Sequence, residues 1–125
     1  MKIIVIRTSF EGIHCYPEAP QMVSYLKHPH RHLFKVEAKI GVNHNDRELE
    51  FICVKHKIDN DYIRPKLDDN GVWQMGRLSC EQVADDLVEF LTKEYGNLFI
   101  RDRYFSVEVS EDGENGAIVN NEVVR

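Results

Sequence analysis

Apolar and polar residues alternate along several stretches of the chain, and this is the spacing of a half-buried β-strand, in which residues two apart share a face. The pattern covers residues 2–10, 31–42 and 103–111. Turn-forming residues at 112–116 follow the last stretch and predict a hairpin whose second strand covers 117–119. Residues 47–53 also alternate and form a further candidate strand.

Helical spacing replaces this alternation in two places. Apolar residues recur every four positions over 54–62 until Pro65, which a helix interior does not tolerate. A second helix begins after Ser79, which forms a capping box with Gln82, and ends before Gly96, a residue that favours the position after a helix. The segments 11–28 and 66–77 carry turn residues and are predicted to be loops.

The predicted order is strand, strand, helix, helix, strand, strand. It indicates an α+β fold in which two helices lie on one face of an antiparallel four-stranded sheet. A length of 125 residues fits a single domain over 1–125.

Composition excludes several classes of function. The net charge is −5 and no block of like charges occurs, which argues against a nucleic-acid partner or a membrane-surface helix. The first apolar run, at 3–6, is too short for a signal sequence or a membrane span, so we expect a soluble, cytoplasmic protein. Cys15, Cys53 and Cys80 lack CxxC spacing, which argues against a disulfide framework or a zinc knuckle and favours partly buried thiols.

Histidines suggest the first candidate site. His30 and His32 lie two apart on a predicted strand and share its apolar face with Phe34, while His14 follows the first strand. Three neutral imidazoles suit Zn²⁺ and leave a fourth position open for a substrate. The alternative is a group of histidines that are hydrogen-bonded at strand ends.

Glu111 is a second candidate. It continues the face of Phe105, Val107 and Val109, where a carboxylate is costly unless donors surround it. The N–H groups of an amino-pyrimidinone ring are such donors. The alternative is that the strand ends before Glu111, which is then exposed.

Six short motifs occur in the order found in one known family, and their similarity extends over most of the chain. Residues 10–14 (FEGIH) resemble its FSAxH motif, 30–37 (HRHLFKVE) its HGHNYxVE, 50–55 (EFICVK) its DFxxLK, 67–69 (LDD) its LDH, 79–84 (SCEQVA) its PTxENxA and 107–111 (VEVSE) its VxVxE. The chain therefore resembles the 6-pyruvoyl tetrahydropterin synthase and 6-carboxytetrahydropterin synthase family, which has the tunnelling fold.

The resemblance implies a zinc-dependent lyase that acts on a pterin of the dihydroneopterin triphosphate type, with a link to queuosine biosynthesis. It also implies a homo-oligomer, most simply a hexamer, whose sheets join into a barrel with pockets between subunits. The implied residues are the zinc ligands His14, His30 and His32, the pterin anchor Glu111, and Ser79 and Cys80 beside the substrate.

The chain departs from the family at two catalytic positions. Leu26 stands where the family has a catalytic cysteine, and Asp69 replaces the catalytic histidine beside Asp68. Asp68 and Asp69 are in the first place turn residues; Cys15 and His28 are candidates to replace the lost groups. Two alternatives to the lyase follow: a non-catalytic protein that binds a pterin, purine or nucleotide, and a purely structural oligomer.

Overall fold

The computed structural model describes residues 1–96 and 103–121. Its centre is a sheet whose strands lie in the order β3-β1-β2-β4-β5. The strands are β1 (Lys2–His14), β2 (His30–Val42), β3 (Val72–Gly76), β4 (Phe105–Glu111) and β5 (Gly116–Asn120). All neighbouring strands are antiparallel except β3, which runs parallel to β1.

Two α-helices of the described residues accompany the sheet. Helix α1 covers Phe51–Lys57 and continues through a π-helical turn, Ile58–Ile63, into a 3₁₀ turn, Arg64–Lys66. Helix α2 covers Cys80–Tyr95, and a further 3₁₀ segment, Gln21–Lys27, lies between β1 and β2. None of the described helices is long and apolar enough to cross a membrane.

The apolar core lies between the sheet and both α-helices. Alternate residues of β2 and β4 point into it, and the inward-facing side of α2 covers them. Burying a large aliphatic or aromatic side chain contributes about 1.5–3 kcal/mol. The largest fully buried side chains of the core are Phe34, Phe105, Ile40, Ile58, Leu87, Leu91, Val36, Val54, Val83, Val107 and Val109.

The beginning of α2 confirms the sequence prediction. The Ser79 side chain accepts a hydrogen bond from the Gln82 backbone N–H at 3.1 Å, and the Gln82 side chain accepts one from the Ser79 N–H at 3.0 Å. The helix ends before Gly96, as predicted. Its apolar stripe holds it against the sheet.

Three parts of the prediction are wrong. Residues 47–53 do not form a strand, because the Glu50 side chain accepts from the Ile52 N–H at 2.8 Å and starts α1 at Phe51. The loop predicted at 11–28 begins later, since β1 continues to His14. The loop predicted at 66–77 contains β3, in which Trp73 and Met75 are buried. The α+β class is confirmed, but the sheet is five-stranded and mixed rather than four-stranded and antiparallel.

The cysteines are free thiols. Cys80 is buried and Cys15 is partly buried, as expected, whereas Cys53 is exposed on α1. Cys53 was expected to lie on the core face of a strand at 47–53. It is exposed because this part of the chain begins a helix instead.

Candidate metal centre

The strand register brings four polar side chains together at one end of the sheet. β1 and β2 pair along their whole length, so His14 lies opposite His30, and Phe34 pairs with Glu111 across β2 and β4. His32 lies two residues after His30 and points to the same face. One ligand atom from each of the four residues, His14, His30, His32 and Glu111, lies within 4.8 Å of the others. This cluster could hold a metal ion.

A glycine allows close packing beneath the cluster. Gly12 precedes His14 by two residues and faces the same side of β1. A Cβ atom at Gly12 would collide with Met75 Sδ and would lie 2.9 Å from Phe34 Cε2. The absence of a side chain thus allows β3 and the Phe34 ring to pack tightly beneath the histidines.

Each of the three imidazoles is held by its Nδ1 atom. In every case the partner is a carbonyl oxygen or a carboxylate oxygen. A carbonyl and an ionised carboxylate accept hydrogen bonds and cannot donate them. The bonds join His14 Nδ1 to the Leu78 carbonyl at 2.8 Å, His30 Nδ1 to the His28 carbonyl at 2.8 Å and His32 Nδ1 to Asp112 Oδ2 at 2.7 Å.

These bonds determine where the ring protons lie. Nδ1 carries a proton in each ring, so the neutral form of each imidazole has its lone pair on Nε2. His14 Nε2 is buried and has no hydrogen-bond partner among the residues that the structure describes. A metal-binding histidine characteristically donates its second ring N–H to a carbonyl or carboxylate. The donor set therefore fits a metal ion.

The Glu111 carboxylate faces the same centre. Its Oε2 atom lies 2.9 Å from His14 Nε2, and its Oε1 atom lies 3.7 Å from His32 Nε2. The side chain is 33% exposed, so it is neither free in solvent nor fully enclosed. The lone pairs of these Nε2 and Oε atoms thus converge and repel one another when the imidazoles are neutral. A cation between them would attract both kinds of atom.

Asp112 positions His32 from the turn between β4 and β5. Besides the bond from His32, its carboxylate accepts from the Leu33 N–H at 2.9 Å. These two bonds lower the pKa of Asp112, with the His32 bond as the larger cause. The residue has φ +60°, a conformation that aspartate tolerates better than most residues. The sequence pattern predicted Asp112 only as a turn residue; its position directly after Glu111 was the available signal.

A pocket of about 780 Å³ opens beside the cluster. His14, His30 and Glu111 line one wall, and the first turn of α2 lines another. Leu26 and Cys15 also line it, and so do Arg77 and Glu18, which form an ion pair at 2.5 Å. The size lies within the roughly 300–1,000 Å³ of small-molecule sites.

The residues expected beside a substrate are at the pocket, but each already has a structural role. The Ser79 hydroxyl caps α2, and Cys80 is buried in its first turn. Burial, with a smaller effect of the Glu111 charge, raises the pKa of the Cys80 thiol to about 11. Cys80 is therefore protonated near neutral pH and is a poor nucleophile.

The candidate acid–base residues differ in position. Cys15 lines the pocket, whereas His28 is exposed and contributes its backbone carbonyl to His30. The Asp68 carboxylate accepts from the Asn70 and Val72 N–H groups and from the Gln74 amide, and these bonds, that of Gln74 first, lower its pKa. Neither Asp68 nor the exposed Asp69 is part of the pocket wall that the described residues form.

Comparison with solved structures identifies the fold as that of 6-pyruvoyl tetrahydropterin synthase. The Plasmodium falciparum enzyme matches with a TM-score of 0.68 and 16% identity over 98% of each chain. A catalytic-residue mutant of the Plasmodium vivax enzyme matches with a TM-score of 0.64 and 16% identity over 98% of this chain and 100% of that one. An uncharacterised protein of Wolinella succinogenes gives 0.57 and 17%, also over 98% and 100%.

These similarities establish a shared fold over nearly the whole chain. No protein-family model matches the sequence. No curated protein matches it either.

Replacing Asp112 should weaken metal binding more than it changes the stability of the metal-free protein. Asp112→Gly removes the acceptor that orients His32, so we expect a Zn²⁺ affinity lower by about 10–100-fold. The free energy of unfolding should change little, because relief of the positive φ offsets the loss of the hydrogen bonds from His32 and Leu33. Asp112→Asn, which retains a neutral acceptor, should have a smaller effect on affinity.

The measurements are a Zn²⁺ titration against a competing chelator and urea unfolding in the absence of metal. Glu114→Ala is the matched control, because Glu114 is exposed in the same turn. An Asp112→Gly protein that binds Zn²⁺ as tightly as the wild type would contradict the positioning role.

Proposed function

We propose that the chain is a zinc-binding protein that acts on a pterin of the dihydroneopterin triphosphate type. The observation that carries the proposal is the set of three imidazoles whose Nδ1 atoms are all bound to acceptors, at the wall of a ligand-sized pocket. The shared fold with 6-pyruvoyl tetrahydropterin synthases supports the same conclusion.

Zinc is the metal that this donor set favours. Three neutral imidazoles are a common ligand set of catalytic Zn²⁺ sites. When bound, Zn²⁺ supplies a Lewis acid that polarises oxygens of the pterin side chain. The protein's own contribution is to orient His14, His30 and His32 and to screen them from bulk water in the pocket.

Glu111 is the residue proposed to recognise the ring. A pterin presents an amino group and a ring N–H side by side, and a carboxylate can accept both hydrogen bonds at once. Glu111 lines the pocket and remains one-third exposed, so its oxygens are accessible from the pocket side. Ser79 and Cys80 would complete the wall beside the ring through the first turn of α2.

Proton transfer would depend on residues other than the family's usual pair. Cys15 lines the pocket and is less buried than Cys80, and His28 lies two residues before His30 and accepts a hydrogen bond from it through its carbonyl. A role for Asp68 or Asp69 requires an assembly in which a neighbouring chain completes the pocket, because neither lines it within one chain.

A second candidate function is binding without turnover, of a pterin or of a related purine or nucleotide. The side chain at position 26, which lines the pocket, is a leucine and cannot transfer a proton. Cys80 is held as a thiol, and Asp68 is engaged in a turn. These three observations favour a pocket that binds its ligand and converts it slowly.

We also propose that the protein is a homo-oligomer, most simply a hexamer, whose sheets join into a barrel. Within the described ranges, β3 and β5 each pair on one side only. Ile118 on β5 is 63% exposed. An unpaired edge strand with an exposed apolar residue is prone to pair with another chain, and pairing would cover it.

Metal analysis of the purified protein should find about one Zn²⁺ per chain. His30→Ala and His32→Ala should each remove it, because each change takes away one of the imidazoles whose ligand atoms converge on the centre. Elemental analysis after gel filtration measures the stoichiometry. His56→Ala, which changes an exposed histidine on α1, should retain the metal. Loss of zinc from the control as well would show that the binding is not specific to this site.

We expect the protein to bind its ligand more readily than it converts it. We expect measurable pterin binding that Glu111→Ala strongly weakens, with little conversion of dihydroneopterin triphosphate, because a positioned base contributes about 10²–10⁴-fold and two such groups are lost. Calorimetry measures binding, and product chromatography measures conversion.

Robust turnover that Cys15→Ala or His28→Ala abolishes would favour the lyase over the binding protein. If metal is present and no pterin, purine or nucleotide binds, both functions are wrong and a structural role remains.

The assembly is tested by the mass in solution. Multi-angle light scattering at micromolar concentration should give a multiple of the 14.6 kDa chain, with a hexamer as the expected species. Ile118→Lys should shift the equilibrium towards smaller species, because a buried lysine without a partner is costly. A wild-type protein that is monomeric under these conditions would contradict the barrel.

A further inference from the structure

We propose that Glu111 is a fourth protein ligand of the metal in the ligand-free protein, and that a heterocycle has to displace this carboxylate in order to bind. The second half rests on the function proposed above. The first half concerns the metal alone. It differs from the sequence-based expectation of an open fourth position.

The contacts of Glu111 support the ligand role. Its two oxygens face two different histidines, at 2.9 Å from His14 Nε2 and 3.7 Å from His32 Nε2. Neither oxygen is therefore directed away from the imidazoles. The side chain belongs to the same group of converging ligand atoms as the three histidines.

The simplest alternative is a proton between His14 and Glu111. The Leu78 carbonyl accepts from His14 Nδ1, and the buried Nε2 makes no hydrogen bond among the described residues despite its closeness to Glu111. A proton on His14 would serve only this pair of atoms, whereas His30 and His32 direct ligand atoms at the same centre. For a neutral imidazole, the Nε2 lone pair and the carboxylate oxygen need a cation to offset their repulsion. A metal ion bound to both atoms provides it.

The backbone fixes this arrangement while leaving the side chain able to move. Glu111 ends β4, and its N–H donates to the Asn115 carbonyl at 2.9 Å, so the main chain is held in the turn. The carboxylate itself is one-third exposed and lines the pocket. With the main chain held, the carboxylate would move from the metal to a ring in the pocket by a change of side-chain rotamer.

One consequence is that the metal and the heterocycle are coupled. If a single carboxylate serves both, binding of one ligand weakens binding of the other by the same factor, because linkage is reciprocal. A metal ion with four protein ligands has no open coordination position, and this is the arrangement of structural rather than catalytic zinc sites. The ligand-free protein would then hold its zinc without a reactive water.

The first experiment uses the metal alone. Zn²⁺ affinity is measured by chelator competition for the wild type, Glu111→Gln, Glu111→Ala and the turn control Glu114→Ala. Loss of an outer partner of a metal ligand costs about 10–100-fold, so loss of a ligand should cost at least tenfold in Glu111→Ala, less in Glu111→Gln and nothing in the control. Thermal unfolding without metal checks that all four proteins fold.

The second experiment tests whether the site is closed. Thiocyanate is added to the Co²⁺-loaded proteins, and the visible absorption of the metal is recorded. The wild type should not respond, because four protein ligands leave no position for the anion, whereas Glu111→Ala should respond. Unchanged Zn²⁺ affinity in Glu111→Ala, or a response of the wild type to thiocyanate, would overturn the ligand role.

The third experiment adds unsubstituted pterin, which lacks side-chain oxygens, to the zinc-loaded wild type. Displacement predicts that pterin lowers the Zn²⁺ affinity. Binding that leaves the Zn²⁺ affinity unchanged, or raises it, overturns displacement. Failure of pterin to bind at all contradicts both displacement and the proposed function. The role of Glu111 as a fourth metal ligand is tested separately by the two metal experiments.

Discussion

The antiparallel register between β1 and β2 is the constraint on which the rest of the structure depends. It places His14 opposite His30 at one end and the apolar residues of both strands on one face along the remaining length. A shift of one residue would turn His30 and His32 to the other face together with Phe34. The buried face therefore fixes the site, because the register that fills the core is the one that gathers the histidines.

The parts of the molecule that follow from local pattern were predictable from the sequence. The alternation at 30–40 places two histidines on the core face, and the capping box at Ser79 starts α2 as expected. Two features were not predictable. β3 contains only five residues and pairs in parallel with a distant strand, and Glu50 starts a helix within an alternating segment. Both depend on contacts between residues far apart or on a single side-chain bond, which apolar periodicity does not contain.

The same distinction applies to the site. His30, His32 and Glu111 were visible because each lies on an apolar stripe, and His14 was visible because it follows the first predicted strand. The groups that orient them were not, since the Leu78 carbonyl belongs to the segment before α2 and the His28 carbonyl to the segment before β2. Asp112 came closest to being visible, because it directly follows Glu111, and the strand that Glu111 ends pairs with β2 next to His32. The orientation of the ligands thus depends on contacts between segments that are far apart in the sequence. The identity of the ligands, in contrast, follows from the strand pattern.

The candidate proton-transfer residues and the metal cluster lead to one physical picture of the site. Side chains that could transfer protons have structural roles, since Asp68 holds a turn and Cys80 is a buried thiol, and the pocket residue at position 26 is a leucine. The groups that could bind a metal are oriented, because each imidazole has an acceptor that fixes its tautomer. A pocket that orients its ligands but offers few groups for proton transfer favours affinity over rate, because rate acceleration needs groups that act in the transition state. On this argument the metal and Glu111 would define what the protein recognises, and any chemistry would depend on Cys15, the less buried of the two thiols that line the pocket.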